Sequence, residues 1–237
     1  MEKLSIQRIT GVLLIGIPML FMVCFTLLQV LFDYPAILRQ PVSAVFVQFQ
    51  AGGPRLIAIW YTLTLTALLF IPVVVLLHTA LAERQPPWYL GLASVLGVLA
   101  GLVQGLGFLR WSFLVPSLAG SYLDPAATAA QRDMAALIFD VFNRYAGMAI
   151  GEHLGYLFTG LWTVLIAGAL GRTRLIPAWL GWLGAACAGG VLVGLLEPAG
   201  WSAAGPINAV SYMVWAIWLV AVGALLLLRA GSRGGAG

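Results

Sequence analysis

Long apolar stretches alternate with short polar connections along the whole chain. A transmembrane helix needs about 20 consecutive apolar residues, because a rise of about 1.5 Å per residue must cover a hydrocarbon core of about 30 Å. Six stretches are long enough, and they cover approximately residues 9–32, 55–81, 88–110, 147–171, 176–196 and 206–228. The pattern predicts an all-α fold, a polytopic transmembrane helical bundle with six spans.

Two of the connections carry helical patterns of their own. After Pro41, apolar residues recur at i, i+3, i+4 and i+7, which is typical of a short amphipathic helix on the membrane surface. These residues are Val42, Val45, Phe46 and Phe49, and Gly52-Gly53-Pro54 is predicted to end the helix. A second amphipathic helix is predicted over 127–146, at the outer interface.

A seventh span over residues 127–146 is the alternative to this surface helix. It would draw Asp133, Asp140 and Arg144 into the membrane. It would also move the arginine-bearing C-terminus to the outside, against the positive-inside rule. The six-span topology is therefore preferred.

Composition excludes a soluble protein. Hydrophobic residues make up 62% and charged residues 8% of the chain, whereas soluble proteins carry about 25% charged residues. Residues 1–230 are predicted to form a single integral membrane helical domain, followed by a flexible cytoplasmic tail at 231–237. The cations lie mainly between apolar runs, which favours topology signals over a nucleic-acid surface, and no nucleic-acid partner is expected.

The positions of Lys and Arg predict the orientation of the bundle. With both termini in the cytoplasm, seven of the 12 basic residues lie on the cytoplasmic side, in the short connections and tails where the positive-inside rule applies best. These are Lys3, Arg8, Arg84, Arg172, Arg174, Arg229 and Arg233. The other five lie in longer outer connections that also carry acids.

The sequence contains no familiar cofactor or catalytic motif. Cys24 and Cys187 fall inside predicted spans and are interpreted as small apolar core residues. His78 and His153 lie near opposite membrane faces in this topology, so they cannot be the two axial ligands of one haem. No catalytic residue, cofactor or metal site is predicted, and a non-enzyme is favoured. The nine tryptophans are interpreted as interfacial anchors.

Small residues recur every four positions in two of the spans. This spacing lets helices approach closely, because packing rather than hydrophobicity must supply their attraction within a bilayer. The residues are Gly97, Gly101 and Gly105 in the third span and Gly181, Ala185 and Gly189 in the fifth.

Polar residues concentrate around the outer ends of the predicted spans. Ionisable groups in a bilayer are costly and are therefore functional candidates. Along the fourth span, Glu152, Tyr156, Thr159 and Thr163 follow helical spacing and form one polar stripe that could line a cavity. The candidate ligand-binding residues are Arg110, Asp140, Asn143, Arg144, Glu152, His153, Tyr156 and Asn208.

Several of these residues also have a structural interpretation. Asp140 and Arg144 are four apart and could pair on one helix face, whereas Arg144 and Arg110 could instead bind an anionic headgroup through parallel hydrogen bonds. Glu152 either handles protons or forms a buried bridge between the fourth span and the outer connections. His153 is interpreted as a hydrogen-bonded core histidine in preference to a metal ligand.

A group of sequence blocks carries a family resemblance. They include Phe32-Asp33-Tyr34-Pro35, Ala51-Gly52-Gly53-Pro54, Leu109-Arg110-Trp111, Phe142-Asn143-Arg144-Tyr145 and Gly151-Glu152-His153-Leu154-Gly155-Tyr156. In these blocks the chain resembles a family of small bacterial membrane proteins, domain of unknown function 4386, over almost its whole length. The resemblance implies a multi-pass protein of the bacterial cytoplasmic (inner) membrane and implies no activity, substrate or catalytic residue.

Three functions fit these observations. The favoured one is a binding protein that accepts a lipid or small amphiphile in a polar outer-leaflet cavity, with membrane lipids and a small amphiphilic or anionic ligand as partners. One alternative is a proton-coupled transporter or flippase that uses Glu152. The other is an intramembrane lipid-modifying enzyme with Glu152 and His153 as acid and base. The oligomeric state does not follow from the glycine motifs.

Overall fold

The computed structural model describes residues 2–234, and within them the chain forms helices and no strands. The α-helices are α1 (Glu2–Phe32), α2 (Val42–Ala82), α3 (Leu90–Phe113), α4 (Val115–Leu123), α5 (Ala129–Phe142), α6 (Gly155–Arg172), α7 (Ala178–Val193) and α8 (Ala204–Gly234). A π-helix, Asn143–Leu154, joins α5 to α6. Short 3-10 helices occupy Ala36–Arg39 and Gly194–Ala199.

The predicted six-span fold is confirmed. Six helical segments in the described residues are long and apolar enough to cross a membrane, namely Ile6–Phe32, Val42–Ala82, Leu90–Leu123, Ala129–Arg172, Ala178–Ala199 and Ala204–Ala230. Many large apolar side chains on these helices, such as Val30 and Leu228, are exposed and would need lipid around them. The chain is thus a multi-pass integral membrane protein. The predicted tail at 231–237 lies partly in α8, and residues 235–237 lie outside the described residues.

The first surface helix ends where the sequence predicts. The segment Val42–Ala82 consists of two helices across a kink at Gly53, whose φ of 54° and ψ of −152° are not helical. Glycine adopts such a conformation without the steric penalty of a Cβ. Before the kink, Val45, Phe46 and Phe49 are buried, as expected for the apolar face of an amphipathic helix.

The second surface helix has the predicted start but not the predicted end. Thr128 and Gln131 form a capping box at the start of α5, and α4 packs against α5. The expected break near residue 146 is absent, because the π-helix carries the chain into α6. A π-helix keeps the backbone hydrogen-bonded, so no break is required. The resulting segment is 44 residues long, about twice what the hydrocarbon core requires.

The chain divides into two compact units, each with its own aromatic core. Among the described residues, the first unit comprises 2–20, 69–102 and 153–234, and the second comprises 21–68 and 103–152. In the first unit, α6, α7 and α8 pack together around Trp162, Trp215 and Trp218. In the second, the rings of Trp60 and Trp111 stack with centroids 4.8 Å apart and an interplanar angle of 11°.

This burial corrects the interpretation as interfacial anchors for the tryptophans that lie in the two cores. Trp60, Trp111, Trp162 and Trp218 are fully buried. Their rings fill the cores of the two units, where large aromatic surfaces contribute most to packing. Both cysteines are free and buried, which confirms their interpretation as core residues.

The glycine stripe predicted in the fifth span is wrong in its details. A Cβ at Gly189 would have nothing within 4 Å, so this residue packs against no neighbouring helix. The close approach instead involves Gly184, where a Cβ would lie 2.7 Å from the Trp218 ring. In the third span, Gly97 does pack closely, with a Cβ position 2.5 Å from Trp162. Because α7 carries small residues on several faces, their spacing alone does not identify the face that packs.

Candidate functional site

Arg110 is the buried cation of the second unit. Arg110 lies near the C-terminal end of α3 and is only 8% exposed. One terminal nitrogen donates to the carbonyl oxygen of Gly107, and the other donates to Oδ1 of Asn143 at 3.1 Å. Its Nε has no hydrogen-bond partner among the described residues. The guanidinium is therefore fixed in position through both terminal nitrogens, while its Nε is left without a partner among the described residues.

Glycines in the π-helix make room for this side chain. A Cβ at Gly147 would lie 2.5 Å from a terminal nitrogen of Arg110 and 2.6 Å from its Cζ. One turn further along, a Cβ at Gly107 would lie 2.7 Å from the Cα of Gly151. The π-helix therefore presents Asn143, Gly147 and Gly151, spaced four apart, to α3. The first two contact Arg110, and the third allows the two backbones to meet.

The surroundings of Arg110 balance its charge and cover it with aromatic rings. Glu152 and Tyr34 both interact electrostatically with the guanidinium. Its Cζ lies 5.2 Å from the ring centroid of Trp111, within the range of a cation–π contact. The ring of Tyr34 meets Trp60 edge-on at 5.1 Å. Arg110 thus places a charged group among the aromatic rings of the second unit's core.

Three further buried polar atoms of the second unit have no hydrogen-bond partner among the described residues. They are Nε1 of Trp60, Nε1 of Trp111 and Oγ of Ser112. Buried donors are normally paired with protein groups, water or ligands, so these atoms are available to an acceptor that enters the core. Neither Trp60 nor Trp111 is among the ligand-binding residues predicted from the sequence. The sequence cue at Trp111 is its position directly after the only arginine inside the third predicted span.

Asp140 and Arg144 bind each other on the exposed side of the helix. The Nε of Arg144 lies 3.0 Å from both carboxylate oxygens of Asp140. Their side chains are 74% exposed for Arg144 and 47% exposed for Asp140. This is the structural interpretation that their spacing allowed. It places Arg144 in a different environment from the buried Arg110.

The other three candidate residues belong to the first unit. Asn208 donates from Nδ2 to the carbonyl oxygen of Val191 at 2.7 Å. A Cβ at Gly194 would lie 2.5 Å from Nδ2 of Asn208 and 2.6 Å from the ring of Tyr156, so this glycine brings the two side chains together. His153 is partly buried at the end of the π-helix.

The deeper part of the predicted polar stripe also lies in the first unit, packed against Trp215. Thr159 and Thr163 are buried. The hydroxyl of Thr163 donates to the carbonyl oxygen of Thr159 at 2.7 Å and accepts from Nε1 of Trp215 at 2.8 Å. Through these hydrogen bonds, the deeper part of the stripe stabilises the packing of α6 against α8.

Comparison with known proteins places the chain in a family. A sequence model of the family described as "Domain of unknown function (DUF4386)" matches residues 9–223. The chain belongs to this family. No curated protein and no solved structure matches it. The family description assigns no activity, so the chemistry of this DUF4386 protein has to be argued from its own residues.

The arrangement around Arg110 is suited to binding an anion. A guanidinium recognises carboxylate or phosphate oxygens through directed, charge-assisted hydrogen bonds. Among the described residues, no three His, Cys, Asp or Glu side chains are grouped so that they could hold a metal ion. The groups near Arg110 that could take part in binding are indole donors and aromatic rings, together with the carboxylate of Glu152.

Proposed function

We propose that this protein binds a lipid or small amphiphile whose anionic group is recognised by Arg110 in the second unit. The observation that carries the proposal is an arginine that is 8% exposed, whose guanidinium makes two hydrogen bonds and has its Nε unpaired among the described residues. A buried ionisable group in a membrane domain is costly, and this cost favours a functional role. The proposal includes an outer-leaflet site, a location in the bacterial cytoplasmic membrane and cytoplasmic termini.

Two features support an amphiphile rather than a simple ion. The Arg110 guanidinium lies beside the stacked rings of Trp60 and Trp111, which provide apolar surface next to the polar point. The indole nitrogens of both rings are donors without partners among the described residues. A ligand with a carboxylate or phosphate group and an apolar body would match both kinds of surface.

The contacts support a binding role for Arg110, Asn143 and Glu152 more directly than for the other candidates. Asn143 orients the guanidinium, and Glu152 balances its charge. Ligand contacts by Asp140, Arg144, His153, Tyr156 and Asn208 stay predictions. Glu152 here is a charge partner for Arg110, which favours the binding function over proton-coupled transport.

Native mass spectrometry of the protein purified in mild detergent tests the proposal. Arg110→Lys keeps a positive charge but removes the planar fork and Nε, whereas Arg144→Lys makes the same change at an exposed residue of the same unit. We expect a lipid-like or amphiphile-like adduct on the wild type and on Arg144→Lys. Arg110→Lys should lose it at least about tenfold, as expected when about 1.4 kcal/mol of binding free energy is lost.

A second variant guards against misfolding of Arg110→Lys. Trp111→Phe keeps a large aromatic ring and removes an indole donor that has no partner among the described residues. It should reduce the adduct while leaving the unfolding temperature in detergent close to that of Trp60→Phe. No adduct on the wild type, or equal adducts on folded wild type and Arg110→Lys, would contradict the proposed function.

A further inference from the structure

A buried glutamine links three helices at one end of the first unit. Gln7 is 7% exposed and donates from Nε2 to the carbonyl oxygen of Leu226 in α8 at 3.1 Å. Its Oε1 accepts from a terminal nitrogen of Arg84, just after the end of α2, at 3.2 Å. Gln7 therefore holds the Arg84 guanidinium beside the last turns of α8.

A second hydrogen bond brings two more arginines to the same end. Arg229 follows Leu226 by three residues and so lies on the same face of α8. It donates to the carbonyl oxygen of Arg174, in the turn between α6 and α7. Only the backbone of Arg174 takes part, and its side chain is exposed. Arg8, next to Gln7, is exposed as well.

The charge at this end is strongly positive. The described side chains of the first unit include five arginines, which are Arg8, Arg84, Arg172, Arg174 and Arg229. The acids among the described side chains of this unit are Glu83, beside Arg84, and Glu197, beyond the opposite end of α7. The second unit has five arginines and five acids. Net positive charge is therefore concentrated at one end of the first unit.

Exposed tryptophans accompany these arginines. Trp88 is 88% exposed and follows Arg84 by four residues, and Trp179 is 64% exposed and follows Arg174 by five residues. Exposed tryptophans of membrane proteins are enriched at the headgroup level. This enrichment favours a position near the lipid phosphates for the neighbouring guanidinium groups.

We propose that Arg84, Arg174 and Arg229 form a binding site for the phosphodiester group of an anionic phospholipid. The guanidinium fork matches phosphate oxygens, and basic pockets between membrane helices are known to bind anionic headgroups. Arg84 lies just after α2 and Arg229 lies in α8, so one phosphate bound between them would tie together the ends of these helices. The site lies in the first unit and is independent of the ligand proposed for Arg110.

Reconstitution into nanodiscs tests this site. The discs contain equal amounts of phosphatidylglycerol and phosphatidylcholine, and native mass spectrometry then measures which lipid stays bound after release from the discs. The wild type should retain phosphatidylglycerol preferentially. The double variant Arg84→Gln/Arg229→Gln should lower this preference about 30-fold, on the basis of the usual contribution per arginine at an anionic membrane surface. Arg84→Lys/Arg229→Lys should retain part of it.

A matched control separates a specific site from net charge. Arg39→Gln/Arg55→Gln removes two exposed arginines of the second unit and should leave the preference unchanged. An equal loss in this control, or no loss in the Arg84/Arg229 variant, would overturn the proposal. Arg84→Gln/Arg229→Gln should keep the adduct that Arg110→Lys loses in mild detergent, which keeps this result distinct from the proposed function.

Arg174→Gln covers the case in which the double variant fails to fold. The hydrogen bond with Arg229 uses the backbone carbonyl of Arg174, so replacing the side chain leaves that bond in place. We expect this variant to fold and to lose about fivefold in phosphatidylglycerol preference. Unchanged preference in a folded Arg174→Gln variant would count against the site.

Discussion

The two units treat their buried polar groups in different ways. In the first unit, the indole nitrogens of Trp215 and Trp218 donate to Thr163 and to the carbonyl oxygen of Leu180, each at 2.8 Å. In the second, the indole nitrogens of Trp60 and Trp111 have no hydrogen-bond partner among the described residues. The indole nitrogens of Trp215 and Trp218 thus have partners within the first unit, whereas Nε1 of Trp162 has none among the described residues.

This difference favours the second unit over the first as the place where a ligand would be bound. Backbone and side-chain partners for buried donors stabilise a core without outside help, whereas unpaired donors impose a desolvation penalty that a bound acceptor would relieve. The second unit combines such donors with the buried Arg110. The first unit instead presents its charge on the surface, at one end.

The largest effect is expected from removing the buried cation. Arg110→Met takes away the charge that Glu152 and Asn143 are arranged around, and disrupting a buried ionic group lowers the free energy of unfolding by about 3–5 kcal/mol. The same change at exposed Arg144 should lower it by about 0–1 kcal/mol. Denaturant titration in detergent, followed by circular dichroism, measures both. Similar losses for the two variants would mean that burial of Arg110 does not matter energetically.

A smaller loss is expected where α3 meets the π-helix. Gly107→Ala places a methyl group against the backbone of Gly151, and such overpacking lowers the free energy of unfolding by about 1–3 kcal/mol. Gly189→Ala is the matched control, because its Cβ would meet nothing within 4 Å. The same titration measures both variants. If Gly107→Ala is as stable as Gly189→Ala, the close crossing does not contribute to stability.

Paired and unpaired indoles allow a direct comparison of the two units. Trp218→Phe and Trp111→Phe each reduce a fully buried ring, but only the first also removes a hydrogen bond. In ligand-free protein, Trp218→Phe should therefore be less stable than Trp111→Phe by about 1 kcal/mol. Chemical denaturation after delipidation gives the difference. An equal or larger loss for Trp111→Phe would indicate that its indole nitrogen already has a partner.

The smallest effect concerns the exposed ion pair. Asp140→Ala removes an i,i+4 contact with Arg144, which contributes about 0.3–0.5 kcal/mol. Salt screens exposed charges, so the difference from wild type should vanish at about 1 M ionic strength. Unfolding curves at low and high salt measure this. A large, salt-independent loss would assign Asp140 a role beyond the pair.

The number of spans and the polar segment were predictable, whereas the inward faces of the helices were not. In a soluble helix, the change from apolar to polar residues marks the buried face. In a membrane helix, the lipid-facing side is apolar too, so this contrast disappears. For this reason Trp60 and Trp111 could not be recognised as core residues, and Gly189 could not be told apart from Gly184.

The candidate site shows the same division. The position of Arg110 in an apolar span was enough to select it, and the four-residue spacing allowed the pairing of Asp140 with Arg144. The hydrogen bond between Arg110 and Asn143 joins residues 33 positions apart. It depends on the π-helix turning Gly147 toward α3, where this glycine leaves room for the Arg110 side chain. Nothing in the local pattern predicts that the helix widens between Asn143 and Leu154.

By itself, the sequence determined an all-helical membrane protein with six spans, its family and the short list of polar residues available for function. These follow from length, hydropathy and the high cost of charge in lipid, which act on each segment separately. The tertiary structure decided which arginine is buried, which is paired at the surface and which are gathered at one end of the first unit. Those outcomes depend on contacts between helices, where small residues and ring packing set the geometry.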